Sequence, residues 1–154
     1  MYTCKGGFID FSHLRAAVDW TVYLAFNLVV DSGNYLNLPD EGGVLKIRYR
    51  KQPNLNLEDV VALAQKIAFE RLAWHEVASW YYHMPNYIND ERQSTFSPED
   101  IYSDFLGTVI GKNIALRILK ERETLSFSQI ATEEIEKVIA AGPYLNFYFL
   151  HIRS

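Results

Sequence analysis

The chain has 154 residues, of which 49% are apolar and 22% are charged, and this composition is typical of a folded single domain with one core. Its formal net charge of −4 argues against nucleic acid as the main partner, because phosphate binding requires clustered Lys and Arg. The single cysteine, Cys4, excludes an internal disulfide, and no apolar run is long enough to form a transmembrane segment.

The N-terminal segment, residues 1–11, is predicted to be irregular or extended, with a turn at Gly6-Gly7. It shows no signal-peptide pattern, and its abrupt start is also consistent with a fragment of a longer exported protein. Ser12 is the predicted N-cap of a first helix, from about His13 to Val30, because its hydroxyl can accept a free backbone N–H. The predicted buried stripe of this helix comprises Leu14, Ala17 or Val18, Thr21, Ala25 and Leu28.

A β-hairpin is predicted next, with strands in "YLNL" (35–38) and "VLKIRYR" (44–50) on either side of the turn sequence "PDEGG". Apolar and basic residues alternate in the second strand, so one face is expected to be buried and the other solvated. The basic stretch "KIRYRK" (46–51) is therefore interpreted as the exposed face of an edge strand. The alternative interpretation is a surface that binds anionic lipid.

Three further helices are predicted over residues 56–83, about 98–119 and 126–141, and Asn56 is the expected N-cap of the first of them. The aromatic tail, residues 144–154, is a candidate strand. The predicted fold is therefore mainly α: a single-domain bundle of about four helices with a small β-hairpin.

The polar residues of greatest interest lie near the end of the 56–83 helix. On a helical wheel, His75 continues a stripe that comprises Val61, Ala64, Ala68 and Leu72. Beyond Leu72 no face of this helix is plainly solvated, so His75 and Glu76 are both expected to be buried. Buried polar groups need partners, and this requirement makes the pair a candidate site.

Two other helices carry residues that can complete such a site. Asp104 lies on the face of its helix that includes Gly111, and Gly107 and Gly111 would allow a second helix to approach closely. His13 lies at the start of the inward stripe of the first helix. Together His13, His75, Glu76 and Asp104 offer imidazole and carboxylate groups, which suit zinc or iron.

The His75-Glu76 pair also has a structural interpretation. The zinc-protease helix motif requires a second His four residues after the first, but position 79 is Ser. His83 would lie about 12 Å further along the helix axis than His75, too far to share an ion. A hydrogen-bonded pair in the core therefore remains an open alternative.

For three other polar residues, the preferred interpretation is a structural one. Asp100 closes a capping box in the helix start "SPED" (97–100). Asp19 is placed to pair with Arg15 on the surface. Cys4 is interpreted as an inert or partly buried thiol, with a Cys–His nucleophile as the weaker alternative.

Three stretches resemble a bacterial family of uncharacterised proteins, the domain of unknown function DUF4056. They are "YTCKGGFIDFSHLRAAVDWT" (2–21), "HEVASWYYH" (75–83) and "STFSPEDIYSDFLGTVIG" (94–111). Members of that family are often exported proteins or envelope lipoproteins, so the resemblance implies a location in the bacterial envelope or periplasm. The resemblance ends near residue 120. The matching residues are Cys4, Gly6, Gly7, Asp10, His13, Asp19, Trp20, His75, Glu76, Trp80, Tyr81, Ser97, Pro98, Glu99, Asp100, Tyr102 and Ser103.

The leading hypothesis is a metal-dependent hydrolase-like domain that acts on a small-molecule or envelope substrate. His13, His75 and Glu76 are the predicted ligands of one divalent metal, with zinc preferred. Glu76 or Asp104 is the predicted base, and Tyr81 or Tyr102 is predicted to stabilise a developing oxyanion. The alternative is a non-catalytic helical binding or structural domain.

Overall fold

The computed structural model describes residues 2–3, 7–30, 35–40, 43–48, 55–82, 97–121 and 125–141. These parts of the chain form four α-helices and two antiparallel hairpins, so the predicted mainly α fold is confirmed. The strands are β1 (Tyr2–Thr3), β2 (Gly7–Phe8), β3 (Tyr35–Asp40) and β4 (Gly43–Arg48). The helices are α1 (Phe11–Val30), α2 (Leu57–Tyr82), α3 (Pro98–Glu121) and α4 (Phe127–Ala141).

The β3–β4 hairpin has the predicted two-residue alternation. Leu36 is buried and pairs with Ile47, whereas Lys46 and Arg48 are exposed. The Lys46 ammonium lies 4.4 Å from the centre of the Tyr35 ring across the hairpin. The rest of the basic stretch, residues 49–51, and the candidate strand at 144–154 lie outside the described residues.

The first helix begins earlier than predicted, because Asp10 and not Ser12 is its N-cap. The Asp10 Oδ1 accepts hydrogen bonds from the backbone N–H of Ser12 at 2.7 Å and from that of His13 at 3.3 Å. The Ser12 hydroxyl also donates to Oδ1 at 2.6 Å. A carboxylate is favoured here because its negative charge complements the positive end of the helix dipole.

The predicted cap of α2 is confirmed. The Asn56 side-chain oxygen accepts the Asp59 N–H at 2.8 Å, and the Asp59 carboxylate accepts the Asn56 N–H at 3.3 Å. A similar reciprocal arrangement joins Ser126 and Gln129 at the start of α4. Each cap satisfies backbone donors that the first helical turn leaves without partners.

Helix α1 packs against both α2 and α3, and α4 packs against α3. Glycines 107 and 111 of α3 face α1 directly, so the predicted close helix contact is confirmed. One apolar cluster is formed by the second half of α1, by α2 and by single residues of β3 and α3: Leu24, Ala25, Leu28, Leu36, Val60, Val61, Ala64, Ile67, Ala68 and Ala115. A second lies between α1, α3 and α4: Ile9, Leu14, Val18, Leu106, Ile110, Ile114 and Ile130. Among the described helices, none combines the length and apolar character needed to cross a membrane.

Candidate functional site

His13, in the first turn of α1, lies between two carboxylates of α3. Its Nδ1 is 3.1 Å from Asp104 Oδ1, and its Nε2 is 3.9 Å from Asp100 Oδ1. Asp100 and Asp104 are four residues apart and therefore lie on the same face of α3, one turn after the other. The two helices thus bring their N-terminal turns together around one imidazole.

Asp10 adds a third carboxylate to the same place. Atoms of Asp10, His13 and Asp100 that can bind a metal all lie within 4.8 Å of one another. The Asp10 backbone N–H donates to the Ser103 hydroxyl at 2.9 Å, and that hydroxyl donates in turn to the Glu99 carbonyl oxygen. Ser103 therefore ties the residue that starts α1 to the first turn of α3.

The electrostatics of the cluster are dominated by its negative groups. Burial, with nearby Glu76 and Asp100, raises the pKa of Asp104 to about 6, although His13 opposes this shift. Burial disfavours the charged imidazole of His13, but Asp104, Asp100 and Glu76 outweigh that effect and raise its pKa. The site therefore attracts a positive charge, whether a proton or a metal ion.

A cavity of about 310 Å³ opens beside this cluster. The cavity is lined by all four residues of the predicted site, which come from three helices: His13, His75, Glu76 and Asp104. The remaining lining residues are Ser12, Ala16, Trp20, Arg71 and Leu72. The structure thus brings the predicted residues together around one space.

The family described as "Protein of unknown function (DUF4056)" matches residues 1–142 of the chain. The chain belongs to the DUF4056 family. This match extends beyond residue 120, where the motif resemblance ends, and so includes α4. No curated protein and no solved structure matches the chain.

In this DUF4056 domain the predicted burial is confirmed for Glu76 and wrong for His75. Glu76 is 6% exposed, whereas the side chains of His75 and the neighbouring Trp74 are exposed to solvent. The buried row of α2 advances in steps of four, from Ala68 through Leu72 to Glu76. Such i, i+4 rows form the packing ridges of helices, and His75 lies to one side of this row. His75 therefore lines the cavity from its solvent-facing side.

The other predicted residues have mixed outcomes. Asp19 forms the expected exposed pair with Arg15, at 3.7 Å. Asp100 is buried and its carboxylate faces His13, so a capping function alone does not describe it. Tyr81 lies in the last turn of α2, but its side chain is outside the described part of the structure, as is Cys4.

The sequence analysis did not predict Asp10 as a site residue, and it interpreted Asp100 only as part of a helix cap. A signal existed for Asp100, because a carboxylate four residues before Asp104 shares its helix face. Asp10 had no such helix-spacing signal, since only the folded chain brings it against α3, and it stood out only as a residue that matches the family motifs. Arg71 was also missed, although it lines the cavity and stacks on Trp20.

Proposed function

We propose that this domain binds one divalent metal ion, with zinc preferred, and uses it to hydrolyse a small-molecule or envelope substrate. The observation that carries the proposal is the orientation of His13. Its Nδ1 is held by Asp104, which leaves Nε2 directed toward Asp100. Histidines that bind metals commonly donate their second ring N–H to a carboxylate, which selects the tautomer and orients the ring.

His13 and Asp100 are the first proposed ligands, and Asp10 is the third. His13 Nε2 and Asp100 Oδ1 are 3.9 Å apart, close enough that both residues would hold the same divalent ion. The Oδ1 of Asp10 caps α1, and the other oxygen of that carboxylate can serve the metal. Three protein ligands leave a coordination position for water, as catalytic zinc sites require.

Charge supports the same assignment. The carboxylates that raise the pKa of His13 create a potential that favours a cation at this point. A divalent ion that binds Nε2 replaces the proton there and neutralises more of the surrounding negative charge. Asp104 then acts through His13 and does not need to contact the ion.

Glu76 is the proposed general base. It lines the cavity from α2 and is close enough to influence the pKa values of both His13 and Asp104. A bound divalent metal acidifies a coordinated water, and a nearby carboxylate can accept the proton that this water releases. His75 is more exposed than Asp10 or Asp100 and is a weaker candidate ligand.

A second function has its own supporting observation. Asp104 and His13, together with Ser103 and Asp10, already join the starts of α1 and α3 without any ion. The cluster in that case stabilises a non-catalytic helical domain whose cavity binds a partner. The proposed location of either form, the bacterial envelope, rests on the resemblance described above.

The first experiment is a zinc titration of chelator-treated protein by calorimetry. The wild type is compared with His13→Ala and Asp100→Asn, and Asp19→Asn is the matched control because it makes the same charge change on the exposed side of α1. We expect one zinc per chain in the wild type and the control, and at least 100-fold weaker binding in His13→Ala. A wild type that binds no zinc, or equal binding by all four proteins, would overturn the metal assignment.

A further inference from the structure

The main-chain N–H of Asp10 is bonded by a residue of another helix. Asp10 is the N-cap of α1, and in a capping box a Glu or Gln side chain three residues later accepts the N–H of the cap. Position 13 is a histidine, and its ring is directed toward Asp104 and Asp100 instead. The Ser103 hydroxyl of α3 accepts the Asp10 N–H at 2.9 Å. Ser103 thus takes the place of the local partner, and the His13 ring takes part in the cluster.

The Ser103 hydroxyl is fixed in one orientation. It is fully buried and donates its own proton to the Glu99 carbonyl oxygen, one turn earlier in α3. A hydroxyl has a single proton, so its oxygen meets the Asp10 N–H as an acceptor. Both hydrogen bonds of Ser103 are therefore defined, and together they set the position of the Asp10 main chain relative to α3.

The same turn of α3 carries a proposed metal ligand. Asp100 precedes Ser103 by three residues, and residues three apart are neighbours on one face of a helix. The hydroxyl that holds Asp10 and the carboxylate that faces His13 therefore belong to one rigid unit. Asp10, His13 and Asp100 present ligand atoms within 4.8 Å of one another. A displacement of the Asp10 main chain from α3 would increase the separation of its carboxylate from Asp100.

We propose that Ser103 is a positioning residue of the metal site, whose hydroxyl holds Asp10 where its carboxylate can share an ion with His13 and Asp100. Ser103 acts through Asp10 and does not contact the ion. Partners that orient a metal ligand in this way typically contribute about 10–100-fold to metal affinity. The role of Ser103 rests on the proposed metal site and concerns the orientation of its third ligand.

Zinc titration of chelator-treated protein by calorimetry tests this role. Ser103→Ala is expected to bind one zinc about tenfold more weakly than the wild type, because Asp10 is no longer held against α3. Ser103→Thr keeps the hydroxyl, which can still donate to the preceding turn, and is expected to bind zinc within about threefold of the wild type.

Thr108→Val is the matched control. Thr108 is also fully buried in α3, and its hydroxyl donates to the Phe105 carbonyl oxygen of the same helix. The substitution removes a buried hydroxyl without touching Asp10, so zinc affinity should equal that of the wild type. Urea unfolding of the metal-free proteins verifies that each variant is folded before it is titrated.

A double-mutant cycle with Asp10→Asn shows whether Ser103 acts through Asp10. Asn is about as good an N-cap as Asp, so α1 keeps its start while the ligand loses its charge. In this background Ser103→Ala is expected to reduce zinc affinity by less than about twofold, because the effects of two residues in one network are not additive. A further loss of about tenfold would show that Ser103 acts through the packing of α1 on α3, and the proposed role would be wrong.

The outcomes separate the role of Ser103 from the proposed function. If the wild type binds zinc and Ser103→Ala binds it equally well, Ser103 is not a positioning residue, and the metal site stands. An equal loss of affinity in Ser103→Ala and Thr108→Val would also overturn the proposed role, because it would assign the effect to packing. A wild type that binds no zinc overturns the metal assignment itself and the role of Ser103 with it.

Discussion

Gly107 of α3 lies directly against Ala17 of α1, with no room for a side chain between them. A methyl group at position 107 would lie 2.6 Å from the Ala17 Cβ and would collide with the Leu14 carbonyl oxygen. Real Cβ atoms do not approach one another this closely. This contact sets the separation of the two helices whose first turns form the candidate site.

Gly107→Ala is therefore expected to destabilise the protein by about 1–3 kcal/mol, because overpacking forces the helices apart. Helix propensity alone predicts the opposite sign, since Ala in a helix interior is favoured over Gly by about 0.5–1 kcal/mol. Urea unfolding followed by circular dichroism measures the difference. A variant as stable as the wild type would show that α1 and α3 are less closely packed than described.

The ion pair between Arg117 and Glu134 is expected to stabilise the packing of α4 on α3. Glu134 is 5% exposed and accepts hydrogen bonds from Arg117 at 2.9 Å and Lys137 at 2.6 Å. Glu134→Gln should cost about 1.5–3 kcal/mol, the range for hydrogen bonds to charged groups. Glu133→Gln is the matched control, since Glu133 contacts the same Arg117 from a half-exposed position and should cost less than about 1 kcal/mol.

The contribution of Glu134 should depend on pH. Burial would raise the pKa of this carboxyl, but bonds from Lys137, Arg117 and Asn113 outweigh it and hold the pKa below the ordinary 4.5. The stabilisation is then fully present above about pH 4.5 and is lost as the pH falls through the lower folded value. Unfolding free energies of the wild type and Glu134→Gln should converge below that pH. A constant difference down to pH 3 would contradict this assignment.

Asp104→Asn is expected to weaken zinc binding by about 10–100-fold while the stoichiometry stays at one. The amide retains the size of the carboxylate but cannot supply its charge to the His13 ring. Calorimetric titration gives both quantities, and Asp19→Asn again controls for the loss of one acidic group. Unchanged affinity would show that Asp104 does not act through His13.

Glu76→Gln is expected to reduce the turnover of p-nitrophenyl acetate by the zinc-loaded protein by about 10²–10⁴-fold, the usual effect of losing a general base. Its zinc affinity should fall far less than that of His13→Ala, because Glu76 is not among the proposed ligands and acts on the site only through its charge. Glu70→Gln, an exposed substitution on the same helix, serves as the control. Equal turnover by all three proteins would exclude Glu76 as the base.

Stability separates the catalytic and non-catalytic interpretations of Glu76. If this residue belongs to a structural network, Glu76→Ala should lower the unfolding free energy by about 1–3 kcal/mol, because a buried partner loses its hydrogen bond. If it serves catalysis, its removal can leave stability unchanged or increase it. The comparison is made on metal-free protein, so that zinc binding does not contribute.

Local signals in the sequence were sufficient for α2, α3, α4 and the β3–β4 hairpin, whereas they placed the start of α1 too late. The predicted cap Asn56 acts on Asp59, only three positions away in the chain. The alternation of apolar and basic residues in 44–48 could be predicted from the two-residue repeat of a β-strand alone. Glycines four residues apart also predicted the close contact of α3 with another helix. Such features depend on neighbours in the chain, so they can be read without knowledge of the fold.

The partners of His13 were decided by tertiary structure. Asp104 is 91 residues away in the chain, and only the packing of α3 on α1 brings the two together. The same packing brings Asp10 and Asp100 next to His13. Local sequence patterns assigned Asp10 to no site and Asp100 to a helix cap. His75 and Glu76 are adjacent in sequence, yet one is exposed and the other buried. A helical wheel shows which residues of one helix share a face, whereas the burial of that face depends on where the neighbouring helices lie.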